Sequence, residues 1–81
     1  MRVDKYLKVS RIIKRRTVAN TACDGGRVSV NGKSVKPSYE IKVGDIIEVS
    51  FGTGRVKAEV LSIAPTAAKA DAASMYRIIE E

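Results

Sequence analysis

Val3, Tyr6 and Leu7 stand at i, i+3 and i+4, the spacing of one buried stripe, and predict a short helix over residues 3 to 9. Arg2, Lys5 and Lys8 then fall on its wet side. Residues 10 to 16, SRIIKRR, break that period. They read as an irregular bend with Ile12 and Ile13 in the core and Arg11, Lys14, Arg15 and Arg16 projecting. Thr17 suits the N-cap of a second helix, Val18 to about Asp24, with Val18, Ala19 and Ala22 as its apolar stripe. Gly25-Gly26 ends it, because glycine adopts the positive φ of a helix C-terminal cap at little cost.

From Arg27 the period changes to two. Val28 and Val30 alternate with Arg27, Ser29 and Asn31, and Asn31-Gly32 predicts a type I′ hairpin returning through Lys33 to Val35. Pro37-Ser38 turns the chain, and Gly44-Asp45 makes a second tight turn. IIEVSF, residues 46 to 51, then forms a strand with Ile47, Val49 and Phe51 on one face. Gly52-Thr53-Gly54 joins it to a strand over residues 55 to 63, where Val56, Ala58, Val60 and Ser62 share a face and Leu61 and Ile63 take the other. The alanine-rich residues 64 to 74 suit a loop or a short helical turn, and residues 75 to 79, MYRII, a last strand. This order predicts an α+β fold: one domain over residues 1–81, with two N-terminal helices packed on a curled antiparallel sheet.

The charge is concentrated at one end. Arg2, Lys5, Lys8, Arg11, Lys14, Arg15 and Arg16 fill seven of the first sixteen positions against one carboxylate, Asp4, so seven minus one equals the +6 of the whole chain. The remaining residues cancel, and so lopsided a field favours a polyanion. Asp4 suits the first turn of its helix, where a carboxylate opposes the dipole, or else orients a neighbouring arginine. The N-terminus of the second helix opens directly after Lys14-Arg15-Arg16, a seat for a phosphate. Arg27 and Lys33, flanking the hairpin, are possible extensions of the basic surface. Arginine forks to phosphate and stacks on bases, so Arg2, Arg11 and Arg16 rank above the lysines.

Other chemistry is sparse. Cys23 is the sole cysteine and there is no histidine, so no internal disulfide forms, a zinc site lacks ligands and no cofactor is implied. Cys23 reads as structural, with a reactive thiol as the lesser alternative. Tyr6 shares its helical face with Val3 and Leu7 and reads as core before it reads as a base-stacking ring. Gly52-Thr53-Gly54-Arg55 lacks the lysine and following helix of a phosphate loop. No acid, base and nucleophile come together, so the expectation is a binding protein and not an enzyme, with no small-molecule substrate. There is neither an apolar span of transmembrane length nor a signal-peptide pattern, which points to a cytoplasmic protein without membrane contact. A monomer is expected. Charge alone leaves open a generic module for structured RNA or DNA.

Five blocks lie in register: R-x-D-x-x-L (Arg2, Asp4, Leu7), S-R (Ser10, Arg11), R-T-x-A (Arg16, Thr17, Ala19), G-x-V-x-V-N-G (Gly26 to Gly32) and G-D-x-I-x-V (Gly44 to Val49). Together, over about positions 2 to 50, they resemble the S-four RNA-binding domain, also called the alpha-L RNA-binding motif. That domain is also found appended to pseudouridine synthases and tyrosyl-tRNA synthetase. A free-standing copy opening RVDKYLKVSRIIKRRT and closing SMYRIIEE is similar to the YabO/RqcP family of bacterial ribosome-associated quality control, relatives of heat-shock-fifteen-type proteins. The resemblance implies contact with large-subunit rRNA and peptidyl-tRNA on a stalled subunit. It further implies retention of the P-site tRNA while an RqcH-type factor adds a C-terminal alanine tail. It places Arg2, Asp4 and Arg16 foremost, with Lys5, Arg11, Lys14 and Arg15 beside them.

Overall fold

The stripe of Val3, Tyr6 and Leu7 is fully buried, as its spacing requires, in a helix α1 running Val3–Val9. These coordinates come from a computed structural model that describes residues 1–63 and 69–79. Helix α2, Arg16–Asp24, packs against α1. The strands β1 (Val28–Val30), β2 (Lys33–Ser34), β3 (Ile46–Phe51), β4 (Gly54–Val60) and β5 (Tyr76–Ile78) form one open antiparallel sheet in the order β2-β1-β3-β4-β5. A short helix α3, Lys69–Ala72, precedes β5. The α+β expectation therefore holds, with β2 and β5 left as the two edges. Part of the alanine-rich stretch and the final Glu80-Glu81 lie outside the described residues.

One face of the sheet meets the helices. Val28 stands opposite Val49 and Val30 opposite Ile47, while Ile47 pairs with Ala58 and Val49 with Val56. Val28, Val30, Ile47, Val49, Ala58 and Val60 are buried, as are Val3, Tyr6, Leu7, Ile13, Ala19 and Cys23. Each fully buried aliphatic side chain contributes roughly 1.5–3 kcal/mol, so in a chain this small a few truncations would unfold it. Tyr6 is core, and its hydroxyl donates to the Met75 carbonyl at 2.7 Å, tying α1 to the approach to β5. Burial pushes that phenol above its ordinary range, with Tyr76 adding to the effect.

The hairpin forms as its residues dictate. Asn31 has φ 53° and Gly32 φ 87°, the two left-handed residues of a type I′ turn. The Asn31 side chain also reaches the Gly44-Asp45 turn: its Nδ2 donates to Asp45 Oδ1 at 3.1 Å and its Oδ1 accepts from the Ile46 amide at 2.9 Å. One side chain thus fixes the spacing of two turns.

Four expectations need correction. Helix α2 starts at Arg16 with Arg15 at the N-cap, no side-chain cap hydrogen bond is made, and Thr17 lies inside the first turn. The buried stripe of α2 is Ala19, Ala22 and Cys23, and Val18 is 52% exposed, because α2 turns the 19-22-23 row and not the 18-22 row to α1 and β1. Phe51 is 44% exposed; β3 outruns β1 at that end, so nothing covers its last inward position. The strands are also shorter than expected. β2 stops at Ser34, β4 at Val60 and β5 at Ile78, and Ser62 is exposed.

Candidate RNA interface

Asp4 shares a helical face with Leu7, at i and i+3, and is only 1% exposed. A buried carboxylate is tolerated only when its lone pairs are filled, and here they are. Its Oδ1 accepts from the Lys5 amide at 2.7 Å, satisfying one of the free donors at the start of α1. Other early amides of α1 are met from elsewhere. The Val3 amide donates to the Tyr39 carbonyl at 2.8 Å and the Asp4 amide to the Pro37 carbonyl at 3.3 Å.

The second oxygen, Oδ2, faces three side chains. Arg2 Nη2 lies at 3.2 Å, Arg16 Nε at 3.5 Å and Asn20 Nδ2 at 3.5 Å. Arg16 and Asn20 are i and i+4 on α2 and therefore project as neighbours towards α1. The first-turn expectation for Asp4 is met by one oxygen, and the other pairs with Arg2 and Arg16, the arginines that the alternative expectation has it orient for RNA. Burial pushes the Asp4 carboxyl up. The Lys5 amide, Arg16, Asn20 and Arg2 together outweigh burial and hold it below the ordinary aspartate range, so it is charged at neutral pH.

The arginines it holds stay in contact with water. Their side chains are 45% (Arg2) and 46% (Arg16) exposed, and they line a shallow depression with Asp4, Thr17, Asn20 and Thr21. A guanidinium has five N–H donors in a rigid plane, so the contact with Asp4 leaves several of them pointing outward. The buried charge draws both guanidiniums to one point on the surface.

The other expected contacts are distributed around this clamp. Lys5 adjoins it through its backbone and is half-buried. Lys8, Arg11, Lys14 and Arg15 are exposed on the end of α1, the bend and the N-cap of α2, and make no ion pair with the described residues. Arg11 has φ 64°, a left-handed conformation unusual for a branched-free but bulky side chain, and its amide donates to the Lys8 carbonyl at 3.1 Å. Thr17 is exposed on the rim of the clamp depression. Arg27 lies across α2 in a different depression, and Lys33 sits on edge strand β2 in a third, with Lys36 and Tyr39. Neither touches the clamp. Asn20 escaped the sequence reading; its role arises from a contact between two helices, for which its i+4 spacing from Arg16 is the one sequence signal.

Cys23 is buried. Burial, then Asp4 and Asp24, pushes its thiol up to about 11, the state of an inert packing residue.

Residues 1–47 match the family model of the S4 domain. Over 81 residues, all of this chain, the sequence is 53% identical to the RQC P-site tRNA stabilizing factor of Streptococcus pneumoniae and 48% identical to that of Bacillus subtilis, covering 92% and 94% of those proteins. Among solved structures, the trimeric heat shock protein 15 of Vibrio cholerae superposes with a TM-score of 0.90 at 29% identity, over 98% of this chain and 81% of that one. The solution structure of HP1423 gives 0.86 at 30% identity, over 100% of this chain and 99% of its own. Matched through its helices and hairpin by the family model and over its full length by these relatives, the chain belongs to the S4 domain family, alongside the RQC P-site tRNA stabilizing factors.

Proposed function

We propose that this chain is an RNA-binding factor of ribosome-associated quality control. It binds a stalled large ribosomal subunit and steadies the peptidyl-tRNA in the P site while a C-terminal alanine tail is added to the nascent chain by an RqcH-type factor. Its relatives' names point to P-site tRNA, and the S4 domain to RNA. The observation that carries the reading is the clamp: a buried, charged Asp4 presenting two half-exposed guanidiniums beside four exposed cations that pair with no carboxylate among the described residues. That arrangement suits a fixed pattern of phosphates on a folded RNA better than a diffuse polyanion. Arg2 and Arg16 contact the RNA directly, Asp4 positions them, and Lys5, Lys8, Arg11, Lys14, Arg15 and Thr17 extend the contact. The role is binding, not catalysis. No helix among the described residues is long and apolar enough to cross a membrane, in keeping with work on the ribosome.

The test is to sediment a tagged copy from cells through a density gradient and sequence the nucleic acid that travels with it. Large-subunit rRNA together with tRNA is the expected result. Genomic DNA, or RNA of no preferred kind, would replace this reading with that of a generic nucleic-acid module.

A further inference from the structure

The outward-facing Val18 and Phe51 do not stand in isolation. They line one depression of about 270 Å³ between α2 and the end of β3, floored by Ile13 and bounded by Arg27. The Ser50 amide donates to the Arg27 carbonyl at 2.8 Å, which sets Arg27 beside the strand end that carries Phe51. Arg27 makes no ion pair with the described residues. Thr17 and Thr21 line this depression and also the clamp depression of Arg2, Asp4 and Arg16. The two hollows therefore lie on either side of one ridge of α2, and a ligand gripped at the clamp has only that ridge to cross.

We propose that this second hollow receives a single unpaired nucleobase of the RNA held at the clamp; the proposal rests on the RNA-binding reading given above. The occupant must have an apolar face for Phe51 and Val18, a polar edge for the Thr17 hydroxyl and for that of Thr21, which accepts only because it already donates to the Thr17 carbonyl at 3.0 Å, and an attached negative charge for Arg27. A nucleotide in a loop or bulge has all three, and its base is free to leave the stack. A paired duplex has no base to offer. The clamp reads phosphates, and the hollow adds a preference for RNA that carries an unstacked base.

The experiment titrates the full chain with two RNAs of equal length, a stem-loop with an unpaired loop and a blunt duplex. Native protein is expected to bind the stem-loop more tightly. Phe51→Ala should weaken stem-loop binding about tenfold, as loss of one base–aromatic stack does, and leave duplex binding and the salt dependence unchanged. Arg16→Ala should weaken both. The chain has no tryptophan, so Phe51→Trp supplies a single reporter whose emission the stem-loop should quench and the duplex should not. That readout stands if Phe51→Ala fails to fold. Equal losses on both RNAs in Phe51→Ala, or identical emission from Phe51→Trp with either RNA, would overturn the base site while leaving the clamp intact. Cross-linking of position 51 on the ribosome to a protein instead of RNA would overturn it too. Failure of native protein to bind either RNA would remove the clamp reading and this one together.

Discussion

Asp4 Oδ2 and Arg16 Nε meet at 3.5 Å across the contact between α1 and α2, with the carboxylate side chain 2% exposed and the guanidinium side chain 46% exposed. The pair is half core and half surface. Its inner member is anchored by a backbone amide and its outer member is left with donors to spare, so one charge is used to aim another.

Replacing Asp4 by asparagine keeps the shape and removes the charge. At neutral pH Asp4→Asn should be less stable than native protein by roughly 1–3 kcal/mol. Because the folded-state pKa of Asp4 lies below its unfolded value, its contribution is present above about pH 4 and is lost as pH falls through the folded value. Urea unfolding at a series of pH values should therefore show the gap between the two proteins closing in acid. A gap independent of pH would mean that the carboxylate gains nothing from its charged neighbours.

Arg16→Ala removes a half-exposed cation while Asp4 keeps the Lys5 amide, Arg2 and Asn20. Thermal unfolding should register a change of about 1 kcal/mol or less, whereas co-sedimentation with large ribosomal subunits should disappear. Arg16→Lys restores the charge without the planar fork, so it should recover only part of the binding. Full recovery by lysine would show that charge, not geometry, is what the site supplies.

Lys14 and Arg15 lack carboxylate partners among the described residues and flank the start of α2. Each that meets a phosphate adds roughly 0.7–0.9 to the slope of log affinity against log salt. The double variant Lys14→Ala, Arg15→Ala should lower that slope by about 1.4–1.8 if both do, with unfolding unchanged. A slope equal to that of native protein would place both residues off the RNA.

Asn31 tests the fold independently of RNA. Asn31→Gly keeps the left-handed turn and loses the bonds to Asp45 and Ile46, a loss of about 1–2 kcal/mol. Asn31→Ala loses the bonds and also strains the turn, a further 1–2 kcal/mol or so. The order of melting temperatures should be native, Asn31→Gly, Asn31→Ala. Equal melting of the two variants would remove the role assigned to backbone strain.

The elements were legible wherever local spacing decides the matter. Val3, Tyr6 and Leu7 announce α1, and Asn31-Gly32 announces the hairpin, because each pattern has one low-energy backbone solution. Spacing places Val18 and Phe51 inward and the structure leaves them exposed, because periodicity identifies which residues share a face but not what stands opposite that face. The apolar row of α2 is decided by where α1 and β1 lie, and the end of β3 is bare because β1 is shorter. The cations of the site were evident from their density. The clamp was only half visible: the sequence shows Asp4 among arginines, but the burial that makes its charge an anchor, and the reach of Asn20, exist only once two helices pack.

Arg11 carries a consequence for how such a protein changes under selection. Its left-handed backbone would suit glycine, which would relax the bend by about 1 kcal/mol, yet the position holds a guanidinium. If Arg11 meets the RNA, as proposed above, heat resistance and grip on the ribosome pull in opposite directions at one residue. Laboratory evolution for thermal endurance alone would be drawn towards exchanging it, and would yield a sturdier protein with a looser hold.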